Sequence, residues 1–314
     1  MTGAAVPAGA DAVFMVEHVE IGPEADFVRL AEPRTLVPGE NIVAQGAEAR
    51  AGDLLIPPGV RLSAPQIALA AQCGYGFLDV VPKPRVAVLS TGDELVPVEA
   101  NPGPSQIRNS NAPMLAALVE AAGGHALVSP SIADQEAALD AAIGSSIDAD
   151  LLLVSGGISA GRFDLVEDAL ARTGARFHFK GVAIQPGKPV AFGEIPRPGR
   201  ASLPVIALPG NPISSAVTFQ LFAAPVLAAL AEVSAAQPRF GLARLSGEWR
   251  GKPGLTRFLP ASVDYSTDAT VRLVAWQGSG DLAAFARSNC FLVIPADAGQ
   301  LADGALVQVL LPQN

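Results

Sequence analysis

The chain has 314 residues, of which 50% are hydrophobic and 16% are charged, and its formal net charge is −9. This length predicts about two or three domains and allows a large buried core. The acidic balance argues against a broad basic surface for nucleic acid, so an anionic ligand would need local devices such as glycine-rich loops and helix N-termini.

The few cysteines and histidines limit the possible metal chemistry. Cys73 and Cys290 lie far apart and lack the spacing of a metal site. The three histidines are scattered along the chain, at His18, His125 and His178. The presence of only two cysteines, and the lack of any lysine or arginine before Arg29, predict a cytoplasmic protein. We expect no membrane association, because the most apolar helix, 219–233, contains a proline and falls short of about 20 spanning residues.

Residues 1–83 are predicted to form a partial β-rich N-terminal region and a linker. The Ala-, Gly- and Pro-rich start, which includes the apolar piece 12–16, predicts short strands. One helix is predicted at 64–73, because Ser63 can cap it, a proline fits its first turn and Gly74 can end it.

Residues 84–236 carry the pattern of an α/β domain. Four apolar runs of strand length end in small polar or glycine-rich loops, at 85–89, 125–128, 150–154 and 204–208. Helical patterns alternate with these runs, which predicts a three-layer fold with a parallel-rich sheet and helices on both faces. In such sheets ligands bind beyond the carboxyl ends of the strands, so we expect the function to lie in these loops.

Three helix starts are predicted at the same edge of the sheet. Asn111 can cap a helix with one apolar stripe, and Asp134 can cap the next. Asn211 followed by Pro212 is a cap and first-turn pair that opens a long helix to about Val233. Each cap residue therefore also lies where a ligand would bind.

Residues 237–314 change to short apolar runs separated by turn residues. The runs lie at 257–259, 270–276, 291–294 and 306–311. This pattern predicts a small all-β C-terminal domain.

The glycine-rich loop 155–161, Ser-Gly-Gly-Ile-Ser-Ala-Gly, is the strongest candidate for an anion site. Glycines let backbone N–H groups converge on an oxyanion, and Ser159 adds a hydroxyl. A tight turn without a ligand would need the same glycines, so the spacing leaves that alternative open. The loop also fits the nucleophile elbow of an α/β-hydrolase, but the only downstream histidine, His178, lies too close in sequence to favour that fold.

Four carboxylates and one lysine add charge at this edge. The carboxylates are Asp93, Glu94, Asp134 and Asp164. Together they would hold Mg²⁺, which in turn binds phosphates; alternatively, Asp134 only caps a helix and the others are solvated. Lys188 lies in the proline-braced turn 185–189, which would aim it at an oxyanion or phosphate unless it is simply an exposed loop lysine.

Four motifs occur in an order and spacing that resemble the molybdopterin molybdenumtransferase family, which includes MoeA and the gephyrin E domain. They are Ser-Thr-Gly-Asp-Glu-Leu at 90–95, the loop at 155–161, Pro-Gly-Lys-Pro at 186–189 and Leu-Pro-Gly-Asn-Pro at 208–212. The first 13 residues resemble a signature of the family's small β domain. Gln-Gly-Ser-Gly at 277–280 resembles a turn of its C-terminal domain.

The resemblance implies a central domain of the MogA/MoaB type that binds molybdopterin. It also implies an elongated homodimer, with the site between the central domain of one subunit and the C-terminal domain of the other. The implied reaction inserts molybdate into adenylylated molybdopterin, with Mg²⁺ assisting and AMP leaving. A non-catalytic molybdopterin carrier or scaffold of the same fold is the alternative.

The resemblance also implies roles for individual residues. Catalytic roles fall to Asp93, Glu94, Asp164 and Lys188, and metal binding falls to Asp93, Glu94, Asp134 and Asp164. Cofactor binding falls to Thr91, Ser155, Gly156, Gly157, Ser159, Pro209, Gly210, Asn211, Pro212 and Ser279. Of these residues, Lys188 and Ser279 would face molybdate.

The chain departs from the family pattern at several positions. Family members carry a further N-terminal segment, with an acidic site residue, before the signature found at the start of this chain. Their Gly-Glu-Asp motif is Gly-Ala-Glu here, at 46–48. Arg162 stands where the pattern has an acidic residue, Gln185 where it has a lysine and Pro260 where it has an arginine. We therefore expect pterin binding to be better preserved than molybdenum transfer.

Overall fold

The structure is a computed structural model, and it describes residues 2–22, 28–157, 165–234, 237–266 and 268–312. The chain divides into two compact units, Met1–Pro58 and Gly59–Asn314. The predicted division into three domains, with boundaries after residues 83 and 236, stays a prediction.

The first unit contains little regular structure. A short 3-10 turn, Val16–His18, leads into the antiparallel pair β1 (Val19–Ile21) and β2 (Val28–Leu30). This segment therefore has short strands, as predicted. They follow the apolar piece 12–16, which is not itself a strand. A side chain ties the turns together, because the Asn41 amide donates to the Val13 carbonyl at 2.7 Å.

The second unit begins with helix α1 (Ala64–Gln72), which starts where the sequence predicts it. The Ser63 backbone N–H donates to Gln66 Oε1 at 3.1 Å, which satisfies one free donor at the helix start. Gly74 follows the helix with a φ of 86°, a backbone conformation that favours glycine.

The α/β part of the second unit alternates strands and helices. Its elements are β3 (Arg85–Ser90), β4 (Leu95–Val96), β5 (Ile107–Arg108), α2 (Asn111–Ala121), β6 (His125–Val128), α3 (Glu136–Ser145), β7 (Leu151–Ser155), α4 (Leu165–Arg172), β8 (Arg176–Lys180), β9 (Ile184–Gln185), β10 (Ala191–Arg197), β11 (Arg200–Leu208), α5 (Pro212–Thr218), a π-helical turn (Phe219–Ala223) and α6 (Ala224–Leu230).

A six-stranded sheet lies at the centre, in the order β6-β3-β7-β11-β10-β8. The first four strands are parallel neighbours, and their carboxyl ends match the four predicted apolar runs to within one residue. Strands β10 and β8 extend the sheet in antiparallel fashion, which the sequence did not predict.

Alternate side chains of β3 face two different helical layers. Ala87 and Leu89 pack into a core shared with α3 and α4. Val86 and Val88 pack on the other face, into a core shared with α2 and the Phe219–Leu227 part of the long helix. Because both faces are covered, the strands are apolar throughout and not alternating. The predicted three-layer α/β fold is confirmed.

The long helical stretch Pro212–Leu230 starts at the predicted residue and ends three residues before the predicted Val233. It has 19 residues and a mean hydropathy of 1.8, which by length and composition is enough to cross a membrane. The sequence argument that this helix is too short is therefore wrong, because the helix starts at Pro212. Buried residues account for 61% of the stretch, with Phe219 and Val217 fully buried in the protein core. The π-helical turn ends two residues before Pro225, whose ring cannot continue a regular helical ladder.

The last part of the chain forms a second six-stranded sheet and one short helix. Its elements are β12 (Phe240–Leu245), β13 (Trp249–Arg250), β14 (Thr256–Asp264), β15 (Thr270–Leu273), α7 (Leu282–Ala286), β16 (Cys290–Ile294), β17 (Gln300–Leu301) and β18 (Leu306–Leu310). The main sheet runs β15-β12-β18-β16-β14-β9, and β14 also pairs with β15, which closes the sheet. The predicted all-β region is thus a small barrel that also contains the short helix α7.

Two features fasten this barrel to the α/β part. Strand β9 leaves the α/β part and pairs in parallel with the start of β14. A separate apolar cluster combines Ile213 and Val217 of α5 with Phe258 and Phe291 of the barrel. The loops of the barrel that meet α5 therefore have fixed positions at the carboxyl edge of the central sheet.

Candidate functional site

Three parallel strands end side by side at one edge of the central sheet. In the register of the sheet, Ser90 of β3 lies beside Ser155 of β7, and Ser155 lies beside Leu208 of β11. The chain places β6 on one side of β3 and then β7 on the other, so the strand order reverses between β3 and β7. Ligands of open α/β sheets bind at such a switch point.

A cleft of about 740 Å³ opens at this edge. Its lining includes ten residues that the sequence predicted for the site, namely Thr91, Glu94, Asp134, Ser155, Gly156, Gly157, Pro209, Gly210, Asn211 and Pro212. Gly280 and Leu282 add the barrel to the lining, from the same chain. The cleft is therefore built from separate loops that the fold brings together.

Two glycines let the loop after β7 run close to its neighbours. Gly156 has a φ of +100°, and a Cβ at this position would lie 2.4 Å from the Thr91 carbonyl oxygen. Gly157 has a φ of +65°, and a Cβ there would lie 2.5 Å from a methyl group of Val166. Side chains are excluded at both positions, so backbone lines the cleft. Ser159, predicted in the same loop, lies outside the described residues.

Two of the predicted carboxylates form a small hydrogen-bonded group. The Thr91 hydroxyl donates to Asp134 Oδ1, and the Asp134 backbone N–H donates to Asp93 Oδ1 at 2.9 Å. The predicted cap role of Asp134 is wrong, since α3 begins at Glu136 and Gln135 is its N-cap. Asp134 instead binds across the chain to the loop after β3.

The predicted metal group is incomplete in the part of the chain that the structure describes. Within it, no set of three or more His, Cys, Asp or Glu side chains lies close enough to hold a metal ion. Glu94 lines the cleft and is exposed, while Asp93 is exposed and does not line the cleft. Asp164 lies outside the described residues, as does Arg162.

Asn111 has a different role from the predicted cap. The helix-start N–H of Ala112 is satisfied by Asn109 Oδ1 at 3.0 Å. The amide of Asn111 turns the other way and donates to Ser155 Oγ at 2.8 Å and to the Gly210 carbonyl at 2.7 Å. Asn111 therefore connects the loops after β7 and β11.

Asn211 is correctly predicted at the start of α5, but its side chain makes no capping bond. Its amide donates to Ser279 Oγ at 2.9 Å, and the Ile213 N–H donates to the Ser279 carbonyl at 3.0 Å. Ser279, predicted to face molybdate, is thus held against the start of α5, next to Gly280 of the cleft lining.

The barrel loop that carries Ser279 is itself braced by Asp281. The Asp281 carboxylate accepts from the Ala284 N–H at 2.9 Å and from the Gln277 N–H at 3.1 Å. These backbone hydrogen bonds, that from Ala284 foremost, lower the pKa of Asp281. Its negative charge therefore stabilises both the turn and the start of α7.

Two residues were predicted to face molybdate, Lys188 and Ser279, and neither lines the cleft. Lys188 is exposed and does not line the cleft, although the next residue, Pro189, does. Gln185 is exposed in β9, beside Arg257 of β14 in the sheet register. Pro260, where the family pattern has an arginine, is buried in β14.

Comparisons with known proteins agree with this geometry. A family model described as "Probable molybdopterin binding domain" matches residues 87–229. The models "MoeA N-terminal region (domain I and II)" and "MoeA C-terminal region (domain IV)" match residues 1–74 and 242–311.

Molybdopterin molybdenumtransferase 2 of Mycobacterium tuberculosis is 34% identical over 98% of this chain and 75% of its own length. The chain belongs to the molybdopterin molybdenumtransferase family. The enzyme of that name from Nostoc is 33% identical over 98% of this chain and 70% of its own length. The crystal structure of the MoeA molybdopterin biosynthesis protein from Pyrococcus horikoshii matches with a TM-score of 0.76 at 30% identity, covering 98% of this chain and 74% of that one.

Family membership confirms the predicted resemblance and the predicted fold class. It also establishes a role in molybdenum cofactor biosynthesis. The roles of individual residues stay predictions.

Sequence reasoning missed several residues that line the cleft, chiefly the polar run Arg108-Asn109-Ser110. This run follows the turn-rich segment 101–106 and directly precedes α2, beside no apolar run of strand length. Its signal was the density of amide and hydroxyl side chains at a helix start, where we considered only Asn111, as a cap. Ser214 of α5 also lines the cleft. The sequence could not show this, because it depends on how α5 is oriented in the fold.

Proposed function

We propose that this chain inserts molybdate into adenylylated molybdopterin and releases AMP. The cleft at the switch point carries this proposal, because glycine backbone, hydroxyls and amides from three loops converge there. Such donors suit a ligand rich in phosphate and carbonyl oxygens. The relatives named molybdopterin molybdenumtransferase support the same reaction.

In this proposal the pterin and phosphate groups occupy the cleft. Ser155 and the backbone of Gly156 and Gly157 would contact phosphate oxygens, together with the start of α5 at Asn211, since Gly210 lies next to Gly156. In the proposed chemistry water attacks the phosphoanhydride, so that AMP leaves and the pterin phosphate is freed. The two dithiolene thiols then bind molybdenum, and one molybdate oxygen leaves with their two protons as water.

Mg²⁺ would be held by Asp93 and Asp134, with Glu94 in reach of the same cleft. Each of these two aspartates has one oxygen that accepts a hydrogen bond from the protein, and the other oxygen is a suitable Mg²⁺ ligand. Mg²⁺ commonly needs only one or two carboxylates when substrate phosphates supply further ligands, so the absence of a three-residue group among the described residues is compatible with this role. The ion would neutralise phosphate charge as AMP leaves. Asp164 is proposed to complete the group.

Molybdate is the second substrate in this proposal. Ser279 and Lys188 are proposed to face it, because each is adjacent in sequence to a residue of the cleft lining, Gly280 and Pro189. Arg108 adds positive charge to the cleft lining, opposite in sign to Glu94 and Asp134. A dianion needs such charge, because hydrogen bonds from cationic groups are the stronger ones.

We also propose that the chain acts as a cytoplasmic homodimer. Its second unit exposes a run of large apolar side chains that a second copy could cover, including Phe77 at 96% exposure, Tyr75 at 63% and Val80 at 63%. The exposed free thiol of Cys73 is typical of a reducing compartment.

A molybdopterin carrier without transfer activity is the second candidate. The exposure of Lys188 and its place outside the cleft lining favour this alternative, since the expected molybdate contact is then incomplete. Both candidates need pterin binding, and only the first needs turnover.

Molybdate-dependent AMP release separates the two candidates. Purified chain is mixed with adenylylated molybdopterin and Mg²⁺, with and without molybdate, and AMP is measured by chromatography. The transferase proposal expects release that rises with molybdate and stops on chelation of Mg²⁺. Ligand binding without any molybdate-dependent release would support the carrier instead.

A further inference from the structure

Asn111 is a junction between chain segments that are far apart in sequence. Its two amide hydrogens reach Ser155 and Gly210, which lie 44 and 99 residues further along the chain. Ser155 ends β7, and Gly210 lies between β11 and α5. One side chain at the start of α2 thus holds both of these cleft loops.

The partners of Asn111 fix which way its amide points. The Gly210 carbonyl oxygen can only accept a hydrogen bond, so the amide nitrogen must face it. The second hydrogen on the same nitrogen then faces Ser155 Oγ, and that hydroxyl oxygen must act as the acceptor. A reversed amide would bring two oxygens together at Gly210.

This arrangement leaves the hydroxyl proton of Ser155 unused by Asn111. Within the described residues, the Ser155 hydroxyl donates to no acceptor, whereas the buried hydroxyl of Ser215 donates to the Pro209 carbonyl. The Ser155 side chain is only 2% exposed, yet it lines the cleft. A buried donor of this kind needs a partner, and the cleft is where a partner can come from.

We propose that Asn111 is a positioning residue that holds the Ser155 hydroxyl proton toward the cleft, so that Ser155 donates to an acceptor oxygen of the ligand. The ligand oxygen is of phosphate or pterin-carbonyl type. This inference rests on the proposed function, because it deepens how the same cleft recognises its substrate. It also assigns Asn111 a ligand-ordering role in addition to its role as a tie between loops.

The substitution Asn111→Asp changes the donor pattern with little change of shape. An ionised carboxylate cannot donate to Gly210, and it attracts the Ser155 proton away from the ligand. Protonation of that carboxyl restores one O–H donor. Asn109→Asp is the matched control, because it adds the same charge to the same cleft lining, loses one amide donor, to Ser131, and keeps an oxygen that can accept from the Ala112 N–H. It differs in having no contact with Ser155.

Affinity for adenylylated molybdopterin is measured by calorimetry at pH 8 and pH 5. At pH 8, Asn111→Asp is expected to bind about tenfold or more weakly than Asn109→Asp, as for the loss of a hydrogen bond to a charged oxygen. At pH 5 the difference between the two variants should shrink, because an aspartate that faces a carbonyl has a raised pKa. Equal affinities at both pH values would overturn the proposal.

A neutral double-mutant cycle tests the same link without added charge. Asn111→Leu and Ser155→Ala should each lower the affinity for the ligand. The double variant should bind as tightly as the single variant that has the lower affinity. Fully additive losses would contradict a shared hydrogen bond. Repeating the titrations with AMP and with a phosphate-free pterin shows which ligand oxygen Ser155 recognises. Ser155→Ala should lower the affinity only for the probe that carries that oxygen.

A measurement without ligand keeps this inference separate from the proposed function. In a Cys73→Ser background, Ser155→Cys places a thiol where Asn111 would donate to it. The donor stabilises the thiolate, so iodoacetamide should alkylate this thiol about tenfold faster at pH 7 with Asn111 present than after Asn111→Leu. Equal rates would overturn the donor role of Asn111. Failure of the parent chain to bind the pterin would instead count against the proposed function alone.

Discussion

The amide of Asn211 donates to Ser279 Oγ at 2.9 Å, and this bond joins the start of helix α5 to a loop of the C-terminal barrel. A backbone bond from Ile213 to the Ser279 carbonyl lies beside it. The apolar cluster that includes Ile213, Val217 and Phe258 also packs α5 against the barrel. The barrel thereby supplies one wall of the cleft within a single chain, and any contribution of a second copy stays a prediction.

The first prediction concerns this bond. Asn211→Ala and Ser279→Ala should each raise the Kd for adenylylated molybdopterin, because each frees the barrel loop. Their effects should not add, and a double-mutant cycle should give a coupling of about 0.5–1.5 kcal/mol, the usual worth of one hydrogen bond. Asn289→Ala serves as a control, since its amide bonds remain inside the barrel, at Val263. Additive effects would show that the loop is held by other contacts.

The second prediction concerns the glycine at the switch point. Gly156→Ala should lower the free energy of unfolding by about 1–3 kcal/mol more than Gly123→Ala, because its Cβ must displace backbone. Gly123 is the matched control, since it has a similar φ of +92° but nothing within 4 Å of its Cβ position. Urea unfolding of the two variants measures the difference. Equal losses would mean that the Thr91 backbone moves away freely.

The sequence was a good guide to the strands of the central sheet. Strands β3, β6, β7 and β11 are buried between two helical layers, so they appear as unbroken apolar runs that few other structures produce. Strand β8, Arg-Phe-His-Phe-Lys, escaped prediction because it lies at an edge and alternates exposed with half-buried residues. Its short pattern resembles that of many loops.

The sequence was a poor guide to what the polar side chains bind. Asn111 and Asp134 occupy positions where local capping is the common outcome, and both bind across the chain instead. Their partners are 41 to 99 residues away, so no local pattern contains them. Lys188 shows the same limit, because its motif gave no information about which way the side chain faces.

The third prediction concerns Lys188, which is exposed. Lys188→Ala should change the free energy of unfolding by less than about 0.5 kcal/mol, as for most surface substitutions. If Lys188 contacts molybdate, the KM for molybdate should rise about tenfold while pterin affinity stays nearly constant. Lys252→Ala is the control, an exposed lysine on the barrel. An unchanged KM for molybdate would remove Lys188 from the proposed site.

The fourth prediction concerns the proposed Mg²⁺ group. Asp134→Asn keeps an oxygen that can accept from the Thr91 hydroxyl but removes the negative charge, so AMP release should need more Mg²⁺, by about tenfold. Asp148→Asn is the control, since Asp148 pairs with Arg200 and does not line the cleft. Titration of AMP release with Mg²⁺ measures the shift. The same Mg²⁺ requirement in both variants would exclude Asp134 as a ligand.

The fifth prediction concerns the two thiols. Burial raises the pKa of Cys290 to about 12, and its side chain is 3% exposed, whereas Cys73 is exposed. At pH 8 iodoacetamide should therefore label one thiol of the folded chain and both thiols after unfolding in urea. Mass spectrometry counts the labels. Fast labelling of Cys290 in the folded chain would contradict the closed barrel core.

The claim that the switch-point cleft binds the pterin is tested most directly by blocking it. Ser110 lines the cleft, and its side chain makes no capping bond, so Ser110→Trp should fill the cleft without removing a structural contact. Ser145→Trp, at the exposed end of α3, introduces the same ring away from the cleft. Calorimetry with adenylylated molybdopterin should show binding by the unmodified chain and by Ser145→Trp, and none by Ser110→Trp. Undiminished binding by a folded Ser110→Trp variant would place the ligand elsewhere and contradict the account.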